Sequence, residues 1–304
     1  MKTIVALVTG GTKGVGYCIS KELVSRISKS MTYMTSRENT AGYSSLMAME
    51  LGFAASQRSK FLTMDIRDKT IVKAHRDDMM ATWGGLDILI NNAGIYYEPD
   101  RTKYIQQAHA TLDTNYFGTQ NVIKTFYEDF RPNARIVNIT SNLAHVTSVI
   151  TPDQIVLKQK AREKFAEVDT YEKLDNLVHQ FITDVDSGYW EEKGWPTCAY
   201  SVSKMAINTY TRILQKDFDD SDRNILVNAV YPASHHKLID QADQRILSDE
   251  DAAKFVFNIA MIQPDSQGRV PRGIVIWDER KLSIDGAHNN EYCFNTKLST
   301  ESTH

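Results

Sequence analysis

The first half of the chain alternates short apolar runs with longer stretches in which apolar residues recur at helical spacing. Thr3–Thr9, Met31–Ser36, Lys60–Met64, Leu86–Asn91 and Arg135–Thr140 have the length and composition of strands. Between them, Gly14–Arg26, Thr40–Leu51, Lys69–Trp83 and Tyr104–Phe130 are long enough for helical crossovers. This β-α-β-α order predicts an α/β fold, a parallel sheet with helices on both faces. Right-handed crossovers make the sheet doubly wound, with ligands received at the carboxyl ends of the strands.

The rhythm breaks between Ile150 and Gly194. That stretch is rich in charge, yet Tyr171, Leu174, Leu177, Val178 and Phe181 follow helical spacing, which predicts an ordered helical insertion rather than a linker. A helix at Ala199–Phe218, a strand at Ile225–Val230, a helix near Glu250–Ile262 and a strand at Gly273–Trp277 follow. Residues 1–282 read as one domain and 283–304 as a loose polar tail.

Composition narrows the function classes. Of 304 residues, 42% are hydrophobic and 24% charged, which is ordinary globular usage. Thirty-five basic against 38 acidic residues give a net charge of -3, which argues against nucleic acid as a partner. Cys18, Cys198 and Cys293 lie far apart and read as reduced thiols of a cytoplasmic protein. The apolar run Ile4–Val8 is shorter than a signal-peptide core, and nothing approaches the length of a membrane helix. Asn138-Ile139-Thr140 matches a glycosylation sequon but falls in a predicted buried strand, so it reads as a chance match.

The chemistry begins at the first strand-to-helix turn, Gly10-Gly11-Thr12-Lys13-Gly14-Val15-Gly16. Gly10, Gly14 and Gly16 let the backbone turn tightly and approach a pyrophosphate at a helix N-terminus. Lys13 lies inside this loop, and Arg37 follows the second strand roughly 20 residues on, where an acid would select NAD and an arginine NADP. Glu38 is adjacent and is the competing acid. The pair of cations favours NADPH.

Later, Tyr200 and Lys204 stand four apart on one helix face. A phenol with an ordinary pKa of about 10 needs help to act at neutral pH, and a neighbouring ammonium favours its phenolate. Ser141 ends one predicted strand, Asn91-Asn92-Ala93-Gly94 ends another, and Asn115 lies in a predicted helix.

With these residues the chain resembles the short-chain dehydrogenase/reductase family, over most of residues 3–280, and within it the monomeric NADPH-dependent carbonyl reductases. Thr35-Ser36-Arg37, Asn115–Thr119, Trp195-Pro196 and the long insertion between Ser141 and Tyr200 carry the closer likeness. The resemblance implies a Rossmann-type fold and a single small-molecule site. Ser141 would hold a carbonyl oxygen, Tyr200 would donate its proton, Lys204 would bind the nicotinamide ribose, and Asn115 would anchor a relay water. Asp65 and Ile66 would contact adenine, Asn91, Ala93 and Gly94 would line the adenosine side, and Pro232 would flank the nicotinamide. Asn142, Leu143 and His145, with Ser234 and His235, would face substrate; Tyr96 and Tyr97 are further candidates. His235-His236 lack an evident third ligand and read as loop residues rather than a metal site.

One position departs from the family: Ala233 stands where a glycine usually follows Pro232, and no threonine comes next. The expectation is a cytoplasmic, monomeric NADPH-dependent reductase of ketones or aldehydes. Two alternatives stand beside it: a binding protein that holds NADPH with little turnover, and an alcohol dehydrogenase acting on a steroid, prostaglandin or terpenoid alcohol.

Overall fold

The computed structural model describes residues 2–38, 47, 50–98, 100–144, 152–232, 247–264, 270–277 and 280–282. Strands β1 (Ile4–Thr9), β2 (Ser30–Ser36), β3 (Ser59–Thr63), β4 (Leu86–Asn91), β5 (Phe130–Ile139), β6 (Leu226–Tyr231), β7 (Val275–Trp277) and β8 (Arg280–Leu282) form one sheet in the order β3-β2-β1-β4-β5-β6-β7-β8. Neighbours from β3 to β7 pair in parallel, and β8 adds an antiparallel edge that the apolar pattern does not announce. The order reverses between β1 and β4, which opens the crevice of a doubly wound sheet.

The central strands are apolar throughout because both faces are covered. Leu7, Leu89, Ile136 and Val227 face one layer with Leu112, Val122 and Ile123. Ala6, Val8, Ile88, Ile90 and Val137 alternate to the other, against Ile19, Leu23 and Val256. The flanking helices are α1 (Gly14–Arg26), α2 (Phe53–Ser56), α3 (Lys69–Trp83), α4 (Tyr104–Leu112), α5 (Thr119–Phe126), α6 (Pro152–Ala166), α7 (Tyr171–Asp186), α8 (Ala199–Asp219) and α9 (Asp249–Ala260). Caps set several starts: Asp68 accepts from Thr70 N at 2.9 Å and Ile71 N at 3.1 Å before α3, and Ser248 accepts from Asp251 N at 3.0 Å before α9.

Three boundaries differ from the sequence expectation. The predicted helix Tyr104–Phe130 is broken by a π-helical turn at Asp113–Gly118, and Phe130 belongs to the next strand. β5 starts before Arg135 because Phe130 pairs with Leu86; the register then slips, and Ile88 meets Arg135 beyond Pro132 and the left-handed Asn133 (φ 67°). β7 begins at Val275 rather than at the predicted Gly273, whose φ of 66° is left-handed. Most of the predicted helix Thr40–Leu51 lies outside the described residues, as does the tail 283–304.

The insertion is ordered, as two helices, α6 and α7. Leu174, Val178, Phe181 and Val185 are buried along α7, each contributing roughly 1.5–3 kcal/mol of burial free energy. Trp195 anchors them: its ring centroid lies 5.2 Å from Phe181, and its Nε1 donates to Asp184 Oδ2 at 2.8 Å. Tyr116 reaches the same layer from the π turn, donating to Asp175 Oδ1 at 2.7 Å. The insertion thus closes over α4, the π turn and α8.

Candidate active site

The register aligns the carboxyl ends of the central strands, so that Thr9, Asn91 and Asn138 lie side by side. The loops that leave these ends build the site. Gly10 and Gly14 have φ of 62° and 55°, a conformation that L side chains rarely adopt. A Cβ on Gly16 would stand 2.3 Å from Gly10 O, so the loop closes only with glycine there. Asn92 holds it shut: its Nδ2 donates to Thr9 O at 3.1 Å and Gly10 O at 3.0 Å. Thr9 Oγ1 in turn accepts from Asn92 N and Ala93 N, both at 3.0 Å. The Asn91–Gly94 motif assigns Asn92 no role of its own, yet its carboxamide bridges two carbonyls of the glycine loop.

The residues present fit a dinucleotide. Lys13, the N-cap of α1, makes no side-chain capping bond, so the first N–H groups of a 13-residue helix face the loop uncapped, as an anion requires. Above Gly14 the nearest atom to a built Cβ is Asp249 Oδ2 at 3.7 Å, which leaves room. Thr12 and Val15 are buried beneath the loop, Val15 in the apolar core, so their backbones are what they offer a ligand. Arg37 is exposed at the end of β2. Asp65 is held by Arg67, whose Nη2 donates to Oδ2 at 2.6 Å; that contact and the nearby Arg37 keep the carboxyl below its usual range against the opposing effect of burial. Ile66 is buried and its carbonyl accepts from Asn121 Nδ2 at 2.8 Å. The Asn91 side chain lies within the sheet layer, donating to Asn138 Oδ1 at 2.8 Å, while its own Oδ1 is buried without a partner. Asn138 is fully buried and donates to Thr211 Oγ1, which disposes of the sequon.

At the other end of the crevice four candidates converge. Tyr200 and Lys204 lie in the first turns of α8, and Tyr200 shares a hydrogen bond with Ser141, which follows β5. Ser141 Oγ also accepts from Leu143 N at 3.2 Å, and Ser201 Oγ donates to Leu143 O at 2.5 Å, pinning the Asn142–Ala144 turn to α8. Lys204 Nζ donates to Ile139 O at 2.6 Å and lies 5.4 Å from the Tyr200 ring centroid. A Cβ built on Gly94 would lie 3.2 Å from Asn115 Oδ1 and 3.8 Å from Lys204 Nζ, so this glycine brings the two together.

Asn115 sits in the π turn and is fully engaged as a clasp. Its Oδ1 accepts from Ile95 N at 2.8 Å, and its Nδ2 donates to Ile95 O at 2.9 Å and to Ser203 Oγ at 3.1 Å. Ser203 Oγ donates to Tyr200 O at 2.8 Å. With both amide hydrogens spent, the side chain has none to donate to a relay water. Ile95 and Ser203 are therefore site residues that no motif named.

The electrostatics correct one expectation. Burial pushes the Tyr200 phenol up, outweighing the hydrogen bond from Ser141 that favours the phenolate. Burial also pulls the Lys204 ammonium down, to about 8. Lys204 is not among the groups that act on the phenol here, so the net shift of Tyr200 is upward. The phenol stands beside a serine hydroxyl, and the two can share one carbonyl oxygen.

Pro232 follows β6 and is buried; Ala233, Ser234, His235, His236 and His145 lie outside the described residues. Among the described residues no helix is long and apolar enough to cross a membrane.

A sequence profile of short chain dehydrogenases matches residues 4–152. Carbonyl reductase [NADPH] 1 of Mus musculus is 32% identical over 280 residues, covering 91% of this chain and 96% of its own. Its Homo sapiens counterpart is 32% identical over 281 residues with the same coverage. Among solved structures, menthone neomenthol reductase from Mentha piperita superposes with a TM-score of 0.73 at 26% identity, covering 91% of this chain and 99% of its own. The sheet order, the glycine turn and these likenesses agree: the chain belongs to the short-chain dehydrogenase/reductase family, as an NAD(P)-dependent oxidoreductase similar to the carbonyl reductases.

Proposed function

We propose that the protein reduces ketones or aldehydes to alcohols with NADPH. The observation that carries this reading is the convergence of Tyr200, hydrogen-bonded to Ser141, with Lys204 Nζ 5.4 Å from its ring centroid. Reduction needs a proton donor at the carbonyl oxygen, and the Tyr200 hydroxyl beside Ser141 is placed to supply it. Ser141 Oγ holds the oxygen, and Tyr200 Oη delivers its proton as charge develops there. Lys204, whose Nζ donates to Ile139 O at 2.6 Å, would bind the nicotinamide ribose. When bound, the nicotinamide supplies the hydride. Gly10–Gly16 and the α1 N-terminus take the pyrophosphate, Asp65, Ile66, Asn91, Ala93 and Gly94 the adenosine side, and Lys13 and Arg37 the 2′-phosphate.

Carbonyl reductase [NADPH] 1, named for the same cofactor, supports this choice. The buried free thiols Cys18 and Cys198 accord with a cytoplasmic setting, and the insertion over α4 and α8 with a monomer. A panel of ketones and aldehydes, followed by NADPH absorbance, tests the proposal. Tight NADPH binding with no turnover across that panel would replace it with the binding-protein reading.

A further inference from the structure

One carboxylate ties the segment before Tyr200 to two distant parts of the chain. Glu191 Oε1 accepts from Thr197 Oγ1 at 2.7 Å and from Gln154 Nε2 at 2.5 Å. Arg101 Nη2 donates to both Glu191 oxygens at 2.7 Å. Gln154 closes a ring, its Oε1 accepting from Thr197 N at 2.7 Å, and Trp190 Nε1 donates to Thr197 Oγ1 at 3.1 Å.

The three segments that meet here all border the site. Thr197 is buried and precedes Cys198, the N-cap of the helix that presents Tyr200. Gln154 belongs to α6 of the insertion. Arg101 ends the loop that leaves β4 through Asn92–Gly94 and carries Tyr96, whose ring meets Tyr200 edge-on at 5.1 Å and 84°. An isolated exposed ion pair would hold little. Glu191 is only 29% exposed in its side chain, and donors from all three segments fill its oxygens. Short bonds to a charged acceptor of this kind fix geometry as well as adding energy.

We propose that Glu191 is a positioning residue. It fastens the loop after β4, the insertion and the strap before α8 to one another, and so fixes Tyr96 against Tyr200 at the wall of the carbonyl pocket. The inference rests on Tyr200 as proton donor, and it assigns the insertion a part in substrate placement. Neither Glu191 nor its bonded partners Arg101, Gln154 and Thr197 are among the residues assigned to the cofactor.

The test compares Glu191→Gln, Arg101→Gln and Arg101→Lys with the parent protein. In the two glutamine variants, KM for the carbonyl rises about ten-fold with a smaller change in kcat, since a small misplacement far from the chemistry is costly. NADPH affinity by calorimetry stays unchanged, and Arg101→Lys recovers most of the loss. Hydrogen exchange speeds up in residues 92–103 but not in the glycine loop. The double glutamine variant is no worse than either single one. A fall in thermal midpoint with KM and exchange at 92–103 unchanged overturns the proposal. If Glu191→Gln does not fold, Arg101→Gln at the exposed end decides. If the parent protein reduces no carbonyl, the functional reading fails and the exchange data still judge the fastening.

Discussion

Lys13 Nζ stands 3.0 Å from Glu38 Oε1, so the cation of the glycine loop is paired with the acid that follows Arg37. Both side chains are largely exposed, and such a pair is readily exchanged for a better partner. A 2′-phosphate entering beside Arg37 would be that partner. Arg37→Ala is expected to weaken NADPH binding roughly ten- to a hundred-fold, the loss of one charged hydrogen bond, with NADH little changed. Glu38→Gln frees Lys13 and should tighten NADPH by no more than about five-fold. Titration of each variant with both cofactors checks the pair; equal shifts for NADH and NADPH would exclude a 2′-phosphate clamp.

Asp249 offers a contrast. Its carboxylate lies near Gly14, beside the uncapped start of α1, where it repels any anion. Asp249→Asn should tighten NADPH and NADH alike, by roughly two- to five-fold. A gain confined to NADPH would show that Asp249 acts on the 2′-phosphate instead.

Tyr200→Phe removes the phenolic oxygen alone. Cofactor affinity should survive, while carbonyl reduction falls ~10²–10⁴-fold. Single-turnover rates with NADPH separate the chemical step from binding. A variant that keeps more than a tenth of the parent rate would remove Tyr200 from the proton-donor role.

Lys204 makes stability depend on pH. Its folded pKa, about 8, lies below the unfolded value of 10.5, so the unfolded chain binds the extra proton between those limits. Stability therefore rises with pH through this window, and the full cost of burying the ammonium is felt below it. Against Lys204→Met, the cofactor-free parent should gain stability from pH 8 to 10, with a slope approaching ~1.4 kcal/mol per unit. Tyr200, shifted the other way, takes stability back above about pH 10. Urea unfolding of both proteins at several pH values reads the difference directly, and parallel curves would show that Lys204 is not buried as a cation.

The doubly wound parallel sheet was legible because its strands and crossovers rest on local patterns, and the four converging side chains were legible through the family resemblance. A continuous apolar run such as Ile4–Val8 marks a strand covered on both faces, and a glycine loop between strand and helix locates the crevice. The Asn115–Ile95 clasp was not legible, since it pairs a side chain with a backbone and carries no spacing. The π turn that presents it was hidden because the stretches on either side, Tyr104–Leu112 and Thr119–Phe126, each read as helix, and a one-residue change of phase between them carries no residue signature of its own. The early start of β5 was hidden by Pro132, which reads as a break. The direction of the Tyr200 shift depended on burial, and sequence shows a neighbouring lysine more readily than a missing solvent.

The insertion leaves its own expectation about assembly. Leu174, Val178 and Phe181 are buried within the chain, and α7 packs against α4 and α8. A single species of monomer mass should persist across a wide range of concentrations in sedimentation. A stable dimer would mean that the outer face of the insertion, rather than the one it covers, joins two copies.

The wide turn at Asp113–Gly118 has a further consequence for how this chain can vary. Asn115 and Tyr116 are consecutive, yet one is bound to Ile95 beside the crevice and the other to Asp175 in the insertion. Each residue added to or removed from a helix rotates everything beyond it by about 100°. Deleting one residue to restore regular winding would therefore break one of the two attachments, whichever side was kept in phase. Pocket and insertion are geared together through adjacent positions, so a change of length on either side must be matched by the other or be lost.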